Sequence, residues 1–214
     1  MNRRDVRMSL DSDPNAAWDT HRTLLTIAIR EAAPGSPVLE LGTGYGSTRQ
    51  LHALCAETGH PLVSYENNPV FHGWFQHLDG PGHSVRFVKD YAEADIETTQ
   101  WGVAFVDHSP ASRRPIDARR LAAHCDVLVV HDTSMDAAGD GGENANGTIW
   151  PLFRYRCDCW MTTAVSSRID VRAWAGRRLG PVPGLFCQAC GGSETDCAAG
   201  CQGPEVLIGG ACGS

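Results

Sequence analysis

The chain has 214 residues, 42 % hydrophobic and 20 % charged, so it can form one domain with short extensions and is too apolar for a disordered protein. The 18 Lys and Arg residues against 25 Asp and Glu give a net charge of −7, which argues against a nucleic-acid-binding protein. No apolar run approaches the roughly 18 residues of a membrane-spanning helix, and no secretory signal is recognisable. We therefore expect a cytoplasmic protein that binds neither membrane nor nucleic acid; the residues do not indicate its oligomeric state.

Short apolar runs alternate with helical patterns through the middle of the chain. After a helical pattern over 16–33, strands are predicted at 37–41, 61–66, 84–88, 102–107 and 126–132, with helices at 47–58, 69–78 and 115–124. The segments 160–167 and 169–174 are predicted as an adjacent antiparallel pair. This alternation predicts an α/β fold, a Rossmann-like, doubly wound, mostly parallel sheet with an antiparallel last strand.

Composition divides the chain into three parts: a flexible amino terminus (1–12), one domain (13–175) and a Cys- and Gly-rich tail (176–214). Four tail cysteines have the spacing C-x2-C-x6-C-x3-C: Cys187, Cys190, Cys197 and Cys201. Four thiolates suit a tetrahedral structural zinc site. A flexible tail without metal is the other interpretation.

A glycine-rich loop follows the first predicted strand, in VLELGTGYGST. Its glycines are Gly42, Gly44 and Gly46, and the acid Glu40 stands two residues before the first of them. Glycines allow a tight turn and a close approach to a ligand, and the following helix begins with free N–H groups. Dinucleotide-binding loops have a third glycine where this chain has Ser47. A carboxylate before the loop would repel a pyrophosphate and attract the sulfonium and ammonium groups of S-adenosylmethionine (SAM).

Two further acids follow later strands. Glu66 ends the second strand, 20 residues after Gly46, where a carboxylate can accept hydrogen bonds from both ribose hydroxyls of an adenosine. Asp90 follows the third strand and is either an adenine contact or a solvated loop acid. We predict that the glycine loop, Glu66 and Asp90 bind SAM.

The fourth and fifth strands both end in a His–Asp pair, in VDHSP and VVHDTS. Ligands of α/β sheets bind at these carboxyl ends. Asp107 and Asp132 are candidate ligands of a divalent cation such as Mg²⁺. His108 or His131 is a candidate general base, with Asp107 beside it. A structural role for the acids in capping turns is the third interpretation.

These strings, with SYENNP between them, occur in an order similar to that of class I SAM-dependent methyltransferases. The resemblance covers about residues 20–170. VDH and the later Asp132 resemble the metal-dependent, catechol O-methyltransferase-like branch. The resemblance implies that Asp107 and Asp132 hold a metal. The chain departs from that branch at two positions: Thr133 replaces an asparagine and Pro110 replaces a base lysine.

We therefore predict a SAM-dependent methyltransferase that acts on a small-molecule acceptor, with oxygen as the nucleophile. An NAD(P)-dependent oxidoreductase is the alternative enzyme, and a non-catalytic scaffold that interacts through the Cys-rich tail is the alternative outside catalysis. The pairs Arg113–Arg114 and Arg119–Arg120 are interpreted as a solvated helix face, with binding of an acidic acceptor as the other possibility.

Overall fold

A computed structural model describes residues 21–133, 146–159 and 161–174. The predictions for the amino terminus and the Cys-rich tail lie outside these residues. Seven strands are described: β1 (Val38–Leu41), β2 (Leu62–Glu66), β3 (His83–Phe87), β4 (Trp101–Val106), β5 (Cys125–His131), β6 (Tyr155–Cys159) and β7 (Thr162–Ser166). Four α-helices are described: α1 (Arg22–Glu31), α2 (Thr48–Thr58), α3 (Pro69–Phe75) and α4 (Arg114–Leu121).

The seven strands form one sheet in the order β3-β2-β1-β4-β5-β7-β6. The first five of these positions are parallel, and β7 runs antiparallel to both β5 and β6. This confirms the predicted Rossmann-like α/β fold. Because β1 connects to β2 on one side and pairs with β4 on the other, the chain reverses its winding direction between β1 and β4, where ligands of such sheets bind.

The central strands are buried on both faces, as parallel strands covered by helices are. All six residues of β4 are buried, and their side chains alternate between two hydrophobic clusters. Val103 and Phe105 pack with α1 and α2, whereas Ala104 and Val106 pack with α4. This burial on both faces fixes the position of the carboxyl ends of β1 and β4, where the candidate site begins.

The strand predicted over 160–167 is confirmed by β7, whereas the strand predicted over 169–174 is wrong. The antiparallel pair is formed by β6 and β7, and residues 171–174 form a helical turn. Asp170 begins that turn, since its carboxylate accepts hydrogen bonds from the backbone N–H groups of Arg172 and Ala173. Val171 and Trp174, three residues apart, are then both buried. No helix among the described residues combines the length and apolarity needed to cross a membrane.

Candidate active site

The glycine loop lies where the sheet reverses its winding direction. The Gly42 N–H donates to the Tyr65 carbonyl of β2 at 2.9 Å, and the Asp107 N–H after β4 donates to the Leu41 carbonyl at 2.9 Å. The loop therefore leaves β1 with one hydrogen bond to each neighbouring strand, which places it against the ends of both β2 and β4.

Gly42 is required by its conformation and by its surroundings. Its φ is +95°, in the left-handed region that residues with a Cβ rarely adopt. A Cβ at Gly42 would lie 2.6 Å from the His108 Cα and 2.8 Å from its backbone nitrogen. These neighbours are backbone atoms that cannot rotate away, so the first glycine of the motif allows the loop to pack directly on the chain that follows β4.

Glu66 fastens the loop to the end of β2. One carboxylate oxygen, Oε2, accepts from the Thr43 N–H at 2.7 Å and from the Thr43 hydroxyl at 2.9 Å. The other, Oε1, accepts from the backbone N–H groups of Asn67 at 3.0 Å and Asn68 at 2.7 Å. Four donors match the acceptor capacity of an ionised carboxylate. The predicted ribose ligand is thus the residue that holds the glycine loop in place.

Glu40 is fully buried and faces hydroxyl groups. Its carboxylate accepts from Ser47 at 2.7 Å, from Thr48 at 3.0 Å and from Ser64 at 2.6 Å. Burial raises the pKa of Glu40 from 4.5 to about 7, although the three hydroxyls oppose the rise. The expectation that this carboxylate faces a cationic methyl donor is not met, because its side chain points into the protein and ties the start of α2 to β2.

A chain of polar groups continues from Glu40 towards the surface. The Ser64 hydroxyl lies 2.8 Å from Nε2 of His83, and Nδ1 of His83 lies 3.1 Å from Nδ1 of the half-buried His52. Burial, and then the neighbouring His52, lower the pKa of His83 to about 4. Two buried groups with opposite pKa shifts therefore share one serine hydroxyl.

The ends of β4 and β5 bring three of the predicted residues together. Nδ1 of His131 lies 3.1 Å from Asp107 Oδ1 and 3.3 Å from Asp132 Oδ1. The side chains of Asp107 and Asp132 are 24 % and 35 % exposed, so both are partly accessible to solvent at the carboxyl ends of β4 and β5. The two carboxylates raise the pKa of His131 to about 9 against the opposing effect of its burial. At neutral pH His131 is therefore an imidazolium, which donates hydrogen bonds and does not accept a proton.

Arg114 joins the same cluster from α4. Its guanidinium contacts Asp107 Oδ1 at 3.0 Å and Asp132 Oδ2 at 2.8 Å. It also contacts the backbone carbonyls of His108 at 2.8 Å, His131 at 3.2 Å and Asp107 at 3.3 Å. Four of these five contacts are hydrogen bonds, and the contact with Asp107 Oδ1 is an ion pair.

The solvated-face interpretation of the arginine pairs is therefore wrong for three of the four residues. Arg114 is 7 % exposed in its side chain, and Arg113 and Arg120 are 19 % exposed. Arg113 and Arg120 both bind the buried Asp117, which lies four residues after Arg113 and three before Arg120. Arg119 alone is exposed, as predicted.

The structure does not bring His108 into the Asp107 cluster. Its side chain has no exposed surface, and its Nε2 lies 3.1 Å from the Asp117 carboxylate beneath the sheet end. Its ring stacks on Tyr91 with 4.2 Å between centroids. A base must reach the proton that it removes. The geometry therefore favours a structural role for His108, not the catalytic role that the sequence suggested.

Asp90 lies at the rim of the site. Its carboxylate accepts from the Ala92 N–H at 2.7 Å, which caps a short helical turn, and from Arg113 at 3.0 Å. The side chain is 60 % exposed. It is near the sheet end where an adenine contact was predicted, and its observed bonds also satisfy the loop-acid interpretation.

The predicted metal ligands do not form a metal site. One ligand atom from each of Asp107, His131 and Asp132 lies within 4.8 Å of the others. Both carboxylates, however, already contact the cation of Arg114. Thr133 cannot complete the set, because its buried hydroxyl is bonded to Thr163 at 2.7 Å. These side chains fit an internal cluster of ion pairs and not a Mg²⁺ site. A Mg²⁺ site needs carboxylate oxygens that are free to coordinate the ion.

Sequence reasoning missed Arg114, Asp117 and the Ser64–His83 pair. The 113–117–120 spacing of Arg, Asp and Arg carried a signal for Asp117, since side chains three and four residues apart meet on a helix. Arg114 and His83 gave no such signal. Their partners come from other elements, and only the folded sheet brings them together.

No family model matches the sequence, and no curated protein matches it. Among solved structures, the O-methyltransferase from Bacillus cereus in complex with SAH is 14 % identical over 72 % of this chain and 81 % of that chain, with a TM-score of 0.50. An RNA methyltransferase from Salinibacter ruber is 18 % identical over 67 % and 87 % of the two chains, with a TM-score of 0.43. The CcbJ methyltransferase from Streptomyces caelestis is 19 % identical over 53 % of this chain, with a TM-score of 0.40, and the match spans about half (51 %) of its length. The chain has the Rossmann-like methyltransferase fold.

Proposed function

We propose that the chain is a SAM-dependent methyltransferase that methylates an oxygen atom of a small-molecule acceptor. The observation that carries this proposal is the glycine loop, which Glu66 holds through the Thr43 N–H and hydroxyl where the sheet reverses. The same end of the sheet carries the partly exposed carboxylates of Asp107 and Asp132. A site for a donor and a polar site for an acceptor are thus neighbours.

The donor site in this proposal consists of backbone at Gly42, Gly44 and Gly46, with Glu66 and Asp90 at its adenosine end. The Thr43 hydroxyl is the one donor to Glu66 that can rotate away, since the other three are backbone N–H groups. A ribose hydroxyl takes its place on Oε2. Glu40 supports this site from inside, through Ser47 and Thr48 at the start of α2.

The acceptor site in this proposal is centred on Asp107. Its carboxylate is partly exposed to solvent, while Arg114 and His131 fix its orientation from the protein side. When bound, SAM supplies a methyl group activated by its sulfonium. Asp107 accepts a hydrogen bond from the acceptor hydroxyl, orients the oxygen and takes its proton as the O–CH3 bond forms. The S–CH3 bond of the donor would break in the same step, with S-adenosylhomocysteine as the neutral leaving group. Holding the reactants in line lowers the activation free energy by several kcal/mol, about 7 or more in well-oriented cases.

Calorimetric titration with SAM, S-adenosylhomocysteine and NAD tests the proposal. We expect the first two to bind and NAD not to bind. The variant Glu66→Gln replaces one of the two acceptor oxygens with an NH2 group and leaves buried donors without a partner. Each unpaired donor costs about 1–3 kcal/mol, so the SAM affinity of the variant should fall by about tenfold or more. Glu57→Gln is the matched control, because Glu57 is 62 % exposed and pairs only with surface Arg30 among its described contacts. NAD binding without SAM binding would refute the proposal in favour of an oxidoreductase.

A further inference from the structure

The two acidic side chains of the acceptor site are bridged by a cation that belongs to the protein. Arg114 contacts Asp107 Oδ1 through Nη2 and Asp132 Oδ2 through Nη1, so that one guanidinium spans the ends of β4 and β5. Its Nε and both terminal nitrogens also donate to backbone carbonyls of the same two strand ends. The guanidinium is therefore fixed in the plane between the two carboxylates.

We propose that Arg114 is a positioning residue that excludes a divalent cation from Asp107 and Asp132 and performs the cation's organising role with its own charge. This inference rests on the proposed function for its catalytic meaning, but the exclusion of metal follows from the geometry alone. A metal ion between these carboxylates would lie within a few ångströms of a guanidinium, and two like charges at about 4 Å repel by about 4 kcal/mol near a protein surface.

Three structural features support the exclusion. Arg114 is rigidly held, since it donates four hydrogen bonds and forms an ion pair with Asp107, and its side chain is only 7 % exposed. It cannot rotate into solvent without taking one partner from each of the two carboxylates and a donor from three backbone carbonyls. The residue after Asp132 supplies no further ligand, because the Thr133 hydroxyl is buried against Thr163. A guanidinium suits this role better than an ammonium, because its planar fork reaches two carboxylates at once.

The consequence for the reaction concerns Asp107. A metal would bind the acceptor oxygen directly and lower its pKa. The Arg114 side chain is 7 % exposed and lies on the protein side of Asp107, so it acts on the reaction through the orientation of Asp107. The acceptor oxygen therefore contacts the Asp107 carboxylate, which Arg114 orients from the protein side. Methyl transfer is then independent of divalent ions.

Binding of Mn²⁺ followed by electron paramagnetic resonance tests the inference without any acceptor. Wild-type protein treated with EDTA should bind no Mn²⁺ at millimolar concentration. Arg114→Met should acquire Mn²⁺ binding, and the double variant with Asp132→Asn should lose it again. Arg113→Met is the matched control, since the adjacent Arg113 pairs with Asp117 and Asp90 and not with the two site carboxylates. It should bind no Mn²⁺.

Two results would overturn the inference. One is Mn²⁺ binding by the wild-type protein that Asp132→Asn abolishes; this measurement needs no arginine variant and so stands even if Arg114→Met fails to fold. The other is a folded Arg114→Met protein, shown by circular dichroism, that still binds no Mn²⁺. SAM titration of the same samples separates the two proposals, because absent SAM binding refutes the proposed function and leaves the metal result unaffected.

Discussion

The buried pair of Glu40 and His83 predicts a pH dependence of stability that is hidden in the wild-type protein. Both side chains contact the Ser64 hydroxyl, and their pKa values shift in opposite directions. Glu40 stays protonated in the folded chain up to a pH of about 7, whereas it ionises near 4.5 when unfolded. Other charged groups that influence the pair are Asp107 beside Glu40, and His52 and Asp79 beside His83.

The signs follow from proton binding in the two states. Between pH 4.5 and 7 the folded protein keeps a proton on Glu40 that the unfolded chain loses, so stability falls as pH rises, by about 1.4 kcal/mol per pH unit and about 3 kcal/mol in all. His83 stays neutral in the folded protein down to about pH 4, whereas the unfolded chain binds a proton below 6.5. Stability therefore rises with pH over that window by a similar amount of about 3 kcal/mol. The two slopes cancel between pH 4.5 and 6.5.

Single substitutions should reveal each slope. We expect the free energy of unfolding of Glu40→Gln, relative to wild type, to rise with pH from 4.5 to 7 by about 3 kcal/mol. The corresponding difference for His83→Gln should fall with rising pH between 4 and 6.5. Urea denaturation at half-unit pH intervals measures both. A difference between variant and wild type that does not change with pH for either protein would refute the buried pair as described.

Two further predictions concern the backbone of the loop and the charge of the cluster. Gly42→Ala should lower the free energy of unfolding by more than about 2 kcal/mol, because alanine would have to adopt a left-handed φ and its Cβ would collide with the His108 Cα. Gly59→Ala also places alanine at a left-handed φ, but open space surrounds its Cβ, so it should lower the free energy of unfolding by only about 1 kcal/mol. Urea denaturation compares them, and equal losses would contradict the packing argument. His131, with its pKa raised to about 9, should contribute about 3 kcal/mol of stability below pH 6.5 that is lost as pH rises to 9. His131→Gln should remove that decline, and an unchanged profile would exclude the charged pair with Asp107.

The sequence predicted most of the fold because its signals were local. The neighbouring strands β4 and β5 carry long apolar runs and are buried in the structure, in β4 at all six residues and in β5 at six of seven. The edge strand β6 was missed because its sequence YRCDC mixes charged residues with cysteines. The segment 169–174 alternates apolar and polar residues like a strand, but the carboxylate of Asp170 begins a helical turn instead.

The side chains of the site were predictable in position but not in orientation. Glu66 and Asp107 are at strand ends, as their sequence position indicated, because strand ends converge at one edge of a parallel sheet. Glu40 lies in β1, two residues before Gly42. Its side chain points inward, since the pleat alternates side-chain direction and the hydroxyls of Thr48 on α2 and Ser64 on β2 donate to its carboxylate. Such partners depend on tertiary contacts that no local pattern contains.

The charges of the proposed acceptor site suit the proposed reaction, which consumes a positive charge. Asp107 and Asp132 are negative, Arg114 and protonated His131 are positive, and the four groups together are neutral. Methyl transfer from a sulfonium removes the donor's charge in the transition state. A strongly negative cluster would stabilise the charged ground state more than the transition state and would slow the step. A neutral cluster avoids that cost and still leaves one oriented carboxylate, Asp107, to receive the acceptor's proton. The internal arginine achieves this balance without an added ion, whereas a divalent cation beside it would make the cluster positive and oppose the binding of a cationic donor.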